Sequence, residues 1–362
     1  MTIEFIGYVG NHNQSESVAA TGAPLDLTHV RAAAAVHENA GFDRVLFAFH
    51  STSPESILVA QHAASVTSRL GLMIAHRPGF NAPTILARQL ATLDHISRGR
   101  VAVHVITGGS DIELQADGDH THKAERYART AEYLDIVRKE WSETAPFDYE
   151  GRFYSVRGAH SAIHPFRAEG IPIYFGGSSP EAIAVAGKHA DVYALWGETL
   201  EQVRETVSRV RAAAAPFGRR PRFSLSLRPI VAETEEAAWA RADRILEEAR
   251  ALRAASGQGP AEPPPNEGSR RLLDAAARGS RLDKRLWTGI AALTGARGNS
   301  TSLVGTPEQV AEAMLDYHRI GIDTFLIRGF DPLLDAYLYG RDLIPAVREL
   351  AARERPDEAA AA

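Results

Sequence analysis

The 362-residue chain contains no cysteine. That excludes a disulfide framework, Cys-ligated zinc, an iron–sulfur cluster and a thiol nucleophile. Lysine is scarce as well: four of the 40 basic residues are lysine and the rest are arginine. At the end of a strand, an arginine's planar fork suits an oxyanion better than lysine would. No charge-free run of about 18 apolar residues occurs, so no spanning helix and no membrane partner are expected. The opening Met1-Thr2-Ile3-Glu4-Phe5 lacks the basic and apolar regions of a signal peptide, and a cytoplasmic protein is expected. A net charge of −5 gives no polybasic character, so nucleic acid is not an expected partner.

What is present is enough apolar residue, 44%, to fill a substantial core. Short β-branched runs over 3–9, 44–49, 70–77, 101–107, 171–177, 191–196, 223–231 and 324–330 alternate with longer amphipathic segments. Such alternation predicts a parallel sheet with helical crossovers. Eight units in one chain favour an α/β fold of the closed (β/α)8 kind over an open doubly wound sheet. The absence of an early Gly-x-Gly-x-x-Gly agrees with that choice. One domain over 1–354 is expected, with a hairpin inserted at about 148–158 and a long loop at about 255–300. A loop of that length in a compact barrel is a lid or a disordered segment. The Ala-rich tail, 355–362, is expected to be disordered.

A (β/α)8 barrel carries its chemistry at the C-terminal ends of its strands. Reading those ends in turn gives His12, His50 with Ser53, His76 with Arg77, His104 with Thr107, Gly176-Gly177-Ser178-Ser179, Trp196, Ser226 with Arg228, and Arg328 with Phe330. Each histidine taken alone could be a hydrogen-bonded structural group, and Arg77 and Arg228 could pair with carboxylates from neighbouring loops. Taken together, a mouth rich in arginine and histidine and short of acids points to an anionic ligand. It also argues against a catalytic metal, which would want Asp or Glu beside the histidines. The turn Gly177-Ser178-Ser179-Pro180 is either a phosphate cradle or an ordinary βα turn with a serine cap.

Several of these segments resemble the bacterial luciferase-like flavin monooxygenases, and within them the two-component alkanesulfonate monooxygenases. They are Ala75-His76-Arg77-Pro78, Ala91-Thr92-Leu93-Asp94 through Arg100, Val105-Ile106-Thr107-Gly108, Glu125-Arg126-Tyr127, Tyr174-Phe175-Gly176-Gly177-Ser178-Ser179 and Trp196-Gly197-Glu198. The resemblance implies a barrel that binds reduced FMN (FMNH2) supplied by a separate NAD(P)H-dependent flavin reductase, uses O2, and oxidatively cleaves an organosulfonate to sulfite and an aldehyde. It implies a homodimer or homotetramer. Tyr127, Gly177, Ser178 and Ser179 would hold the FMN phosphate, and His104 and Thr107 would lie near the ring. His12, Trp196, Arg228 and Arg297 would carry the chemistry on the substrate side, with Ser53, His76, Arg77, Ser226 and Phe330 lining it. Residues 255–300 would be the family's mobile loop, with Arg297 reaching in from it.

The chain departs from the alkanesulfonate pattern in three places. Ser53 stands for a cysteine, Ser226 and Arg228 for an arginine and a histidine, and Phe330 for a tyrosine. Positive charge survives while a proton donor is lost, and the added hydroxyls suit a hydroxylated substrate such as a sulfosugar. Two other readings keep the barrel: an oxidoreductase using deazaflavin or acting on another anion, and a non-catalytic flavin-binding protein.

Overall fold

The computed structural model describes residues 3–258 and 266–354. Its barrel strands are β1 Glu4–Tyr8, β2 Arg44–Phe47, β3 Gly71–His76, β4 Val101–Val105, β5 Ile173–Gly176, β6 Val192–Trp196, β7 Arg222–Leu227 and β8 Thr324–Ile327. They hydrogen-bond in the closed order β1-β8-β7-β6-β5-β4-β3-β2, so each neighbour is the next strand in the chain. This is the (β/α)8 barrel the alternation predicts. Strands covered on both faces read as continuous apolar runs rather than alternating ones. Accordingly β3, Gly-Leu-Met-Ile-Ala-His, is buried along its whole length.

Chain contacts gather the residues into two compact units. One comprises the chain up to Val45, Ala194–Ser208 and everything from Arg222 onward; the other comprises Leu46–Tyr193 and Arg209–Pro221. In the second unit, β3, β4 and β5 pair in parallel, with Ala75 opposite His104 and His104 opposite Tyr174. Helix Pro83–Ser97 starts on Pro83, whose missing N–H would be unpaired there anyway. It ends with Arg98 and Gly99 at φ of 59° and 80°, the left-handed exit into β4. The inserted hairpin is present as antiparallel Phe147–Glu150 and Ser155–Ala159.

In the first unit, β1 pairs with β8 and β8 with β7, all parallel. Here two expectations are corrected. The strand expected over 223–231 breaks after Leu227, because Pro229 has no N–H to give a ladder. Ile230–Val231 pairs instead with Ser302–Gly305, in a separate four-stranded sheet. Residues 266–300, expected as loop, are folded. They form helix Glu267–Arg278, the short antiparallel strands Arg281–Leu282 and Leu286–Trp287, and helix Gly289–Thr294. Trp287, Ile290 and Val304 pack with Ile230, Ala238 and Phe330 into a core of their own. The two strands and helix Gly289–Thr294 are too short for a period to stand out, whereas the amphipathic pattern of helix Glu267–Arg278 was there to be read. Residues 259–265 and the tail 355–362 lie outside the described residues. Among those described, no helix is long and apolar enough to cross a membrane.

Candidate active site

The second unit presents a cluster of polar atoms around the ends of β4 and β5. His104 lies on β4, opposite Tyr174 of β5. Its Nδ1 is buried without a hydrogen-bond partner, and burial lowers the imidazole to about 4. Thr107 is buried just beyond β4, and its Oγ1 also has no partner. After β5 the backbone turns at Gly177, φ 133°. Ser179 then caps helix Pro180–His189, its Oγ accepting from the Ala182 N–H at 3.3 Å. A Cβ on Gly177 would stand 2.8 Å from the Ala182 Cβ and 3.3 Å from the Tyr127 hydroxyl. That hydroxyl is hydrogen-bonded to Ser179, and burial raises its pKa. The turn thus shows the serine cap, with the Tyr127 and Ser179 hydroxyls gathered beside Gly177.

Arg77, just after β3, is buried in the same unit. Its Nη2 donates to Glu113 at 2.7 Å, its guanidinium lies 5.3 Å over the Phe49 ring, and its Nε and Nη1 are buried without partners. Glu113 also binds His50 Nδ1 and the Ser51 N–H, both at 3.2 Å. The His50 bond, partly offset by burial and reinforced by Arg77, brings its carboxyl down to about 2. Ser53 closes that loop by donating its N–H to the His50 carbonyl at 3.0 Å. His76 has a different place from the one expected. It is buried with Nε2 3.0 Å from the Tyr133 hydroxyl, and burial lowers it to about 3. The structure makes it a core histidine rather than a substrate contact, because the side chain turns into helix Lys123–Ser142.

In the first unit, Arg228 leaves β7 wholly buried. Its Nη1 donates to Glu16 and its Nη2 to the Gly329 carbonyl at 2.9 Å, while its guanidinium lies 3.7 Å over the Phe330 ring. Arg328, beyond β8, donates to the other oxygen of Glu16 at 3.0 Å and covers the Tyr8 ring at 5.2 Å. Burial raises the Glu16 pKa, but the two guanidiniums outweigh it and hold the carboxyl at about 2. The expectation of a mouth short of acids is thus corrected by Glu16 and Glu113. A buried guanidinium needs a counter-charge, and here it comes from the loop after β1 for Glu16 and from the short helix Asp111–Ala116 for Glu113, not from strand ends.

Phe330 is also corrected as a substrate-lining residue. It is buried in the Trp287 core and serves as the floor under Arg228. Ser226, opposite Leu326 of β8, is half-buried near the start of that same corner. His12 keeps both ring nitrogens in its own loop, Nε2 2.5 Å from Gln14 and Nδ1 3.3 Å from the Pro24 carbonyl. Trp196 packs against Gly268 and the apolar group of Leu272, Ala291 and Ala296, and Arg297 is exposed directly after Ala296. The structure thus joins Arg228, Phe330 and Arg328 at one corner and Trp196 to the folded insert. Glu16 was missed by sequence reasoning, since a lone acid in Gln14-Ser15-Glu16-Ser17 carries no motif.

Gly197 and Glu198 explain the Trp-Gly-Glu segment. The Glu198 carboxylate clamps Arg271 of the insert through bonds of 2.8–3.0 Å, and the Thr301 hydroxyl donates to the Gly197 carbonyl at 2.6 Å.

A family model for luciferase-like monooxygenases matches residues 3–324. Solved structures share the fold at low identity. A riboflavin lyase (RcaE), solved with modified FMN and riboflavin, is 19% identical, with a TM-score of 0.78 over 97% of this chain and 92% of that one. The EDTA monooxygenase EmoA from Chelativorans sp. BNC1 is 20% identical, with a TM-score of 0.75 over 97% and 94%. An F420-dependent secondary alcohol dehydrogenase is 17% identical, with a TM-score of 0.68 over 96% and 99%. Given a match that runs through nearly the whole barrel, the chain belongs to the luciferase-like monooxygenase family.

Proposed function

We propose that this protein is a two-component monooxygenase that accepts reduced FMN from a separate NAD(P)H-dependent flavin reductase and cleaves the C–S bond of an organosulfonate. In balance, the sulfonate, O2 and reduced FMN give an aldehyde, hydrogen sulfite, oxidised FMN and water. The observation that carries the reading is the corner where Arg228 and Arg328 converge on the two oxygens of one carboxylate. That arrangement is a receptor for a paired-oxygen anion, and a sulfonate has the same kind of oxygens.

The polar atoms left over in the second unit fit a flavin. The Gly177 turn, the Ser178 and Ser179 hydroxyls and Tyr127 would hold the phosphate, at a helix N-terminus that favours anions. The unpartnered His104 Nδ1 and Thr107 Oγ1 would hold the ring. Lowered to about 4, His104 is neutral at working pH and hydrogen-bonds without adding charge. Bound flavin supplies the activation of oxygen, the chemistry no side chain can provide. Arg228 and Arg328 would orient the sulfonate and stabilise the negative charge that leaves with sulfite. The Trp196 side, held by the Glu198–Arg271 clamp, would exclude water.

A second reading, an oxygenase for another anion, is favoured by the same guanidinium pair and by the fold shared with an EDTA monooxygenase. A deazaflavin-dependent reaction is the third, since the barrel also serves an F420 enzyme. Sulfite release under air, with FMN kept reduced by any flavin reductase, decides among them. The panel runs from methanesulfonate and longer alkanesulfonates through taurine to sulfoquinovose. Sulfite from one member establishes the reaction and its carbon skeleton. Tight reduced-FMN binding with no sulfite favours another anion, and selective deazaflavin binding favours hydride transfer.

A further inference from the structure

We propose that Glu16 is a built-in occupant of the anion receptor formed by Arg228 and Arg328, and that an anionic substrate binds by displacing its carboxylate. The inference deepens the sulfonate reading and rests on it only for the identity of the anion.

Three features carry it. First, the receptor is already filled: Glu16 offers one oxygen to each guanidinium, and Arg228 is completely buried beneath it. Second, the cavity beside the two guanidiniums offers no alternative seat: lined by Arg228, Arg328, Tyr8, Ser15 and His37 but not by Glu16, it is about 20 Å³ and holds a single water molecule. An anion that binds both arginines therefore takes the place of the Glu16 carboxylate. Third, both guanidiniums keep a buried Nε with no partner. One carboxylate leaves donors idle that a three-oxygen anion could use.

The local backbone allows the exchange without disturbing the barrel. The Ser15 N–H donates to the Val18 carbonyl at 3.0 Å. The Ser15 Oγ accepts from the N–H groups of Ser17 and Val18 at 3.2 and 3.1 Å and donates to the Phe330 carbonyl. Glu16 therefore projects from a turn that is closed and anchored independently of its carboxylate. Rotation about its own side-chain bonds empties the receptor while Ser15 stays bound. Glu16 then sets a threshold: an incoming anion must bind the guanidiniums better than an ionised carboxylate does, which excludes weak anions such as chloride.

The test measures anion binding by calorimetry, without flavin and without turnover, using methanesulfonate and inorganic sulfate as probes on the full chain. Glu16→Gln is expected to bind both at least tenfold more tightly than the parent protein. Glu16→Asp keeps the charge but is one methylene short of both arginines, and it is expected to bind at least threefold more tightly. It decides the matter if Glu16→Gln does not fold. Unchanged or weaker binding by a folded variant overturns the proposal, since a residue that only held the arginines in place would lower affinity when changed. Sulfite release is scored separately. Tighter anion binding in the variants with no sulfite from any sulfonate leaves the displacement intact and removes the sulfonate reading.

Discussion

A Cβ added to Gly177 would lie 3.3 Å from the Tyr127 hydroxyl and 2.8 Å from the Ala182 Cβ, in a turn whose φ is 133°. The backbone at this turn has been brought as close as a glycine allows to the side chains that would hold the phosphate. Gly177→Ala is therefore strained twice, by conformation and by contact. Reduced-FMN affinity should fall at least tenfold with the far-ultraviolet circular dichroism unchanged. Fluorescence titration checks it, and parent-like affinity would remove the cradle from the flavin site.

Arg228 offers a sharper division of labour. Arg228→Met keeps much of the apolar stem over Phe330 but leaves Glu16 with Arg328 alone. Breaking a buried ion pair typically costs about 3–5 kcal/mol, so the melting temperature should drop. Sulfonate turnover should fall at least a hundredfold while FMN affinity stays within threefold. Collapse of FMN binding in a folded variant would show that the two subsites are not separate.

The Glu198–Arg271 clamp ties helix Glu267–Arg278 to the end of β6, and both partners are largely buried. Arg271→Met should free that helix locally rather than unfold the barrel. Hydrogen exchange over 267–278 should rise at least tenfold, while β3 and β4 keep their protection. Exchange that rises evenly across the chain would mean the insert has no independent anchorage.

Buried neutral histidines should make the fold acid-sensitive. Burial lowers His37 to about 4 and His76 and His189 to about 3, from an ordinary 6.5. The unfolded chain takes up these protons near 6.5 while the folded chain refuses them, so it binds more protons when unfolded. Stability therefore falls as pH drops below about 6.5, by about 1.4 kcal/mol per pH unit for each such histidine. Calorimetry between pH 7 and 4.5 should record that fall, and His76→Gln should flatten it. A slope identical to the parent's would place His76 outside this balance.

The barrel was legible because its signal is local and repeated. Each strand is an apolar run, each crossover an amphipathic helix, and Pro83 and Gly99 punctuate one unit just as a helix start and stop require. The Gly177-Ser178-Ser179 turn was legible for the same reason, since its geometry depends on neighbouring residues. The break at Pro229 follows from one missing N–H, yet it appears only when the partner Ser302–Gly305 is known.

Residues adjacent in sequence thus determined the barrel elements, their order, and the presence of arginines at strand ends. Tertiary structure alone decided what those arginines face. Glu16 reaches Arg228 across 212 residues, and Glu113 reaches Arg77 across a helix and a strand. A buried charge takes its counter-ion from whatever segment the fold brings near. No period or motif in the sequence records that choice.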